Sequence, residues 1–304
     1  MNKKALRADG LLLLTAAIWG FAFVAQRNGM SYMGPFTFNG VRFALGALSL
    51  FPLLGVSTRS YLRAMQKKDW LFLVFTSLGA GVVLFFGANL QQIGIVYTTA
   101  GKAGFLTGLY VVLVPIGGIF LRHHTGPATW VGAGLATVGM YILSAPDELG
   151  RMNPGDLLVI ASALFWTTHV LYIDRFSKRC APLLLAAGQF LWCALFSLGA
   201  AFLWETPRWS ALSAGWLPLL YGGIGSVGIA YTLQVVAQKD APPAHAAIIL
   251  CLEGAFATLG GILLLGEPFG IRNFSGSALM FAGMLASQWD LIREKGSPSP
   301  GPTA

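Results

Sequence analysis

The chain has 304 residues, of which 55% are hydrophobic and only 11% charged, against roughly 25% charged in an average soluble domain; this excludes an ordinary water-soluble enzyme and marks an integral membrane protein. A net charge of +8 would suit nucleic acid if the cations clustered on one exposed face, but they sit in short gaps between apolar runs, so no nucleic-acid partner is expected. The three cysteines, Cys180, Cys193 and Cys251, make neither a disulfide framework nor a zinc-ligand spacing, and no metal or cofactor is implied.

The first segment, MNKKALRADGLLLLTAAIWGFAFVA, has the basic and apolar regions of a secretory signal. Nine comparable runs follow it, so it reads as a first membrane span that is retained. About 20 apolar residues are needed for each helical crossing. The runs that qualify are 10–26, 35–55, 70–96, 100–121, 127–146, 157–173, 183–204, 215–238, 243–265 and 270–291. None alternates in polarity as a barrel strand would, so the fold class is all-α integral membrane with ten transmembrane helices. The Pro/Ser/Gly-rich tail, 296–304, is expected to be disordered.

Lysine and arginine set the orientation. With a cytoplasmic amino terminus, fourteen of the twenty fall in inside segments and four, Arg27, Arg151, Arg208 and Arg272, in the opposite loops. Both termini are therefore expected in the cytoplasm, in a multi-pass protein of the cell's inner (plasma) membrane.

Two stretches of the first half match the second. DGLLLLTAAIWG from Asp9 lies on DLLVIASALFWT from Asp156, and 90–121 lies without a gap on 233–264, sharing Leu-Gln and, 27 residues on, Gly-Gly-Ile. Five spans per copy is an odd number, so the second copy enters from the other side. The expectation is an inverted 5+5 repeat, 9–146 and 155–293, the usual build of secondary transporters with a midplane site.

Four segments carry a family resemblance: AIWGFAFV in the first span, FNGVRFALGAL around Arg42, YTTAGKAGFLTGLYVVLVP into the fourth, and LEGAFATLGGILLLGEPF across the ninth. With these the chain resembles the ten-helix EamA-like members of the drug/metabolite transporter superfamily from about Asp9 to about Arg293. It departs in having Gly254 rather than proline after Glu253, and His124 where the acidic residue Glu267 opens the last span of the second copy. The resemblance implies proton-coupled or exchange-type export of small metabolites.

Apart from Arg272 and Asp290 at the two ends of the last span, only Arg42, Lys102 and Glu253 are charged within the spans, where a charge costs on the order of 2.5–3.5 kcal/mol and must face protein or water. Lys102 either snorkels to the interface or forms a cationic mouth that attracts anionic solutes, near Tyr110. Arg42 is either an ion pair or carbonyl clamp, or part of the solute site. Glu253 is deepest; because low dielectric disfavours a charged carboxylate, it is either a proton carrier or a structural acid. Asn89, Gln91, Gln92, Gln189 and Gln234 serve helix packing or the solute. Trp19 and Trp166 wall a cavity or fill the core, and His169, one turn after Trp166, joins them or is a satisfied core histidine.

Two motifs mislead. Gly223, Gly225 and Gly228 spell G-x-G-x-x-G inside an apolar helix with no βαβ unit, so they read as close packing rather than nucleotide binding. His169 and Asp174 are five apart and do not share a helix face. The expected function is a secondary transporter that exports small polar or amphipathic metabolites by alternating access; its rival, an intramembrane enzyme acting on a lipid-linked substrate, would need Glu253, His169 and Arg42 to converge. Lipid and a small polar or amphipathic solute are the implied partners; oligomeric state stays open.

Overall fold

A computed structural model describes residues 3–98, 100–143, 152–265 and 270–293. Among these residues there is no strand, and helix follows helix throughout. Ten rods form the body: α1 (Lys3–Gly29), α2 (Pro35–Val56), α3 (Lys67–Tyr97), α4 (Ala103–Phe120), α5 (Pro127–Leu143), α6 (Pro154–Ser177), α7 (Pro182–Trp204), α8 (Trp216–Ala237), α9 (Pro243–Leu264) and α10 (Ile271–Arg293). Eight of them are long and apolar enough to cross a bilayer; α5, with 17 residues, is shorter. Large apolar side chains such as Leu14, Leu48, Phe75, Leu164, Leu191 and Leu285 point outward, as a lipid-facing belt requires. The expected tail 296–304 and Glu267 lie outside the described residues.

Local chemistry explains the helix starts. Proline opens α2, α5, α6, α7 and α9, where its missing N–H costs nothing. Asn153 and Asp156 form a reciprocal cap on α6, and Asp156 also accepts a 2.6 Å hydrogen bond from Thr98 at the end of α3. At the start of α2 the cap comes from another helix. Glu205, just past α7, accepts from Phe36 N, Thr37 N and Thr37 Oγ1 at 2.9, 2.8 and 2.6 Å.

Four rods are not continuous α-helices, which the run of apolar residues did not foretell; the α2 rod turns at Leu50, between Pro35–Ser49 and Phe51–Ser57. The α4 rod consists of Ala100–Gly108 and Tyr110–Phe120, with a turn at Leu109. The α9 rod stops at Leu250 and resumes at Glu253. No proline stands at that second break; the chain tightens instead through Leu252 N to Ile249 O and Gly254 N to Cys251 O. In α8, Tyr221–Tyr231 is π-helical, a form often found at functional sites.

Glycines bring two rods into backbone contact. A Cβ on Gly132 would lie 2.6 Å from Gly283 O, and one on Gly139 would lie 2.6 Å from Gly276 O. Thus α5 and α10 run antiparallel, and laying 127–143 on 271–287 puts Gly132 on Gly276 and Gly139 on Gly283. The start of α1, the start of α9 and the end of α10 share one face of the bundle, where Asp9, His245 and Ser287 meet.

Candidate functional site

The interior of the bundle holds a narrow cavity of about 40 Å³, lined from α1, α2, α3, α4, α6, α8 and α9. Eight of the nine residues expected at a site lie on it: Trp19, Arg42, Gln91, Tyr110, Trp166, His169, Gln234 and Glu253. Lys102 falls in the helix Ala100–Gly108, and its side chain lies outside the described residues.

Arg42 reaches the cavity from the α2 wall and is 3% exposed. Its Nε donates to Asn39 Oδ1 at 2.8 Å, and its guanidinium stands 5.1 and 5.5 Å from the ring centres of Phe43 and Phe38. Among the described residues it makes no ion pair, so the carboxylate-pair alternative has no partner here. Asn39 is held in turn by Asn89 at 2.9 Å, and Asn89 donates to Ser197 Oγ at 2.9 Å. This buried amide relay joins α2, α3 and α7 and fixes the cation against rings, which attract it through their negative faces.

The two helix breaks meet across the cavity. Tyr110 opens the second half of α4 and Glu253 the second half of α9, and the tyrosine hydroxyl stands 3.5 Å from Glu253 Oε1, at the outer limit of a hydrogen bond. In the gap-free match of 90–121 with 233–264 these two residues occupy the same position.

Tyr231, which the sequence did not single out, is the hub of the aromatic wall. Its ring centre lies 4.5 Å from Trp19, 6.2 Å from Trp166, 6.1 Å from His169 and 5.9 Å from Phe43. The indoles are tied down: Trp19 Nε1 donates to Ser226 O at 3.1 Å, and Trp166 Nε1 to Gln91 Oε1 at 2.7 Å. His169 pairs with Gln189 Oε1 at 2.9 Å, so it is both a satisfied buried histidine and part of the cavity wall. Two glycines of the misleading motif let α8 approach α2, since a Cβ on Gly223 would meet Leu45 Cβ at 2.6 Å and one on Gly228 would collide with Ser49 Oγ; beside them, a Cβ on Gly222 would come within 3.4 Å of Arg42 Cδ.

Phe23, Gln26, Thr107, Val170, Ser226 and Leu250 also line the cavity and carried no sequence signal. Two polar atoms in the lining, Thr107 Oγ1 and Gln234 Oε1, are buried without a protein partner, an arrangement that water or a solute must complete.

A second, polar recess opens at the face where α9 starts. It is lined by Arg122, His123, His124, Lys178, Lys239 and Asp240, among others. Asp174 pairs there with Lys178 at 2.8 Å and with His123 at 3.6 Å, which gives that aspartate a structural role unconnected to His169. Val114 and Pro115, about one turn of α4 beyond Tyr110, line the recess and so adjoin the cavity.

A bundle of apolar helices around a sparse ionic cavity defines a multi-pass membrane transporter. The model of the EamA-like transporter family matches residues 6–145 and again 153–287, and the chain belongs to that family. It is 32% identical to an uncharacterized transporter of Archaeoglobus fulgidus over 284 residues, 93% of this chain and 86% of that one. It is 24% identical to the threonine/homoserine exporter RhtA of Salmonella typhimurium, covering 78% of this chain and 84% of RhtA. A solved crystal structure, 21% identical, superposes with a TM-score of 0.79 over 95% of this chain and 99% of its own, a likeness of fold. The chain is a transporter and not an enzyme, so the convergence of Arg42, His169 and Glu253 on one cavity serves no lipid chemistry.

Proposed function

We propose that the chain exports a small polar or amphipathic metabolite across the inner (plasma) membrane by alternating access. In this reading ten helices form an inverted repeat of 9–146 and 155–293, with both termini in the cytoplasm. The antiparallel glycine crossing of α5 and α10 and the meeting of Tyr110 with Glu253 support such a pseudo-twofold: the contacts Gly132–Gly283 and Gly139–Gly276 exchange when the matching halves are swapped, and Tyr110 and Glu253 are themselves matching positions. The excess of lysine and arginine on the face where α1 starts supports its cytoplasmic assignment.

The observation that carries the reading is Arg42: a buried cation on the cavity wall with no carboxylate partner among the described residues, beside orphaned Thr107 and Gln234. A solute with a carboxylate would complete the arginine, its polar groups would meet Gln91, Gln234 and Thr107, and its apolar part would rest on Trp19, Trp166 and Tyr231. The exporter named among the relatives supports the direction and a solute of amino-acid type. Glu253 is the proton-coupling residue, and Lys102 draws anionic solutes to the mouth at the opposite face.

Purified protein in liposomes loaded with radiolabelled threonine, and separately with a small uncharged sugar, tests this. Efflux of the amino acid but not the sugar, driven by an imposed pH difference in the wild type and indifferent to it in Glu253→Gln, is expected. Wild-type liposomes that move neither solute overturn the solute reading, and an unchanged pH response in Glu253→Gln removes the coupling role.

A further inference from the structure

Away from the cavity, Asp9 near the start of α1, His245 in the first turn of α9 and Ser287 near the end of α10 form a buried cluster. His245 is 1% exposed and Ser287 fully buried. Nε2 of His245 lies 2.9 Å from Asp9 Oδ1, and Nδ1 lies 2.9 Å from Ser287 Oγ, whose hydroxyl is also 2.8 Å from the carbonyl of Met284.

The hydrogen-bond inventory limits what this cluster can be. An ionised carboxylate only accepts, so Nε2 carries a proton toward Asp9. When Ser287 donates to Met284 O, Nδ1 must donate to Ser287, and the ring is an imidazolium paired with Asp9. When the ring is neutral, Nδ1 accepts, and Ser287 turns its hydroxyl from Met284 to the ring. Both states satisfy the three side chains, so one proton can come or go with a single hydroxyl rotation and no orphaned buried donor. A nucleophilic role fails because Ser287 is sealed in the core, and no metal-holding group of three occurs among the described residues.

Position gives the proton a consequence. Ala244, next to His245, lines the polar recess, while Glu253 lies about two turns further along α9, just past the break. We propose that Asp9, His245 and Ser287 form a second proton-binding site, separate from Glu253, whose occupancy locks the first half of α9 onto α1 and α10.

Other ionisable groups near this end are Lys3, Lys4 and Arg7 on α1, Arg122, His123 and His124 after α4, Asp174 and Lys178 on α6, and Lys239 and Asp240 before α9. On α10, Asp290 and Arg293 follow Ser287, and their side chains lie outside the described residues; among the described residues Asp9 pairs with His245, and α5 brings no charged residue.

The test uses the purified full chain in detergent micelles, without any solute. Ring-nitrogen NMR of labelled histidines, assigned with His245→Gln, follows His245 from about pH 5 to about pH 9. Hydrogen exchange of 243–250, corrected for its intrinsic pH dependence, is measured in wild type, Asp9→Asn, His245→Gln and Glu253→Gln. Protection is expected to change in step with His245 protonation, to fall about tenfold in Asp9→Asn and His245→Gln, the scale of losing one buried charge-assisted hydrogen bond, and to hold in Glu253→Gln. A histidine fixed in one protonation state, protection indifferent to Asp9→Asn, or protection that follows Glu253 instead would overturn the proposal. If both cluster variants misfold, the wild-type titration decides alone. Liposomes that transport nothing would undo the export reading and leave this result standing.

Discussion

The two halves of the chain contribute matching positions to the cavity but not matching chemistry. Laying 10–26 on 157–173 and 90–121 on 233–264 pairs Trp19 with Trp166, Phe23 with Val170, Gln91 with Gln234, Thr107 with Leu250 and Tyr110 with Glu253, and all ten line the cavity. The indoles and the glutamines repeat; the ionisable groups do not. Glu253 faces a tyrosine, His169 has Ala22 at its matching position, and Arg42, with 35–49 laid on 182–196, has Gln189. A scaffold needs its walls twice to close around a cavity, whereas a buried charge costs stability at each occurrence. Charges kept in one copy only are therefore the part of the wall that packing does not account for.

Equalising the halves at Arg42 tests this most severely. Arg42→Gln makes the α2 and α7 positions alike, and if Arg42 holds a solute carboxylate, transport should fall on the order of 100-fold, the scale of losing one partner of a buried charge pair. Gln189→Glu or Gln189→Leu should cost far less, as measured by efflux from liposomes. Removing the aromatic hub comes next. Tyr231→Ala deletes the ring shared by Trp19, Trp166 and His169, and should lower stability by about 3–5 kcal/mol, read from thermal unfolding in detergent; Tyr231→Phe should stay within about 1 kcal/mol, because the hydroxyl makes no protein hydrogen bond on which packing depends.

The glycine crossing sharpens the comparison from the symmetric side. Gly139→Val and Gly283→Val both push a side chain into a facing backbone, and each should cost about 1–3 kcal/mol. A large inequality between the two would argue against a common role for matching positions. The smallest effect is expected at the cap of α2. Thr58, just past α2, is the position matching Glu205, yet its hydroxyl donates to Leu54 O one turn back rather than capping another helix. Glu205→Gln, which weakens three hydrogen bonds at a helix start, should cost about 1 kcal/mol, and Thr58→Ala should cost less.

Much of this was legible because membrane sequences advertise their exceptions. Arg42, Glu253, Gln91 and the two tryptophans stand out against an apolar background, and lipid leaves them nowhere to point but inward. What stayed hidden depends on register and tertiary fit. Tyr231 ends a π-helical stretch whose wider turns shift the facing of every residue beyond it, and glycine content there announced only close packing. The interruption before Glu253 has no proline to signal it, and arises from short-range backbone bonds around Cys251 and Leu252. His245 escaped notice because its partners lie on α1 and α10, far away in sequence.

Where α5 and α10 cross, main chain rests on main chain with no side chain between them to slide or re-rotamerise. Such a joint resists shear far better than one padded with leucines, so the pair is suited to serve as a stationary post. Any rocking that exposes the cavity first to one side and then to the other would be left to the remaining eight rods turning about it.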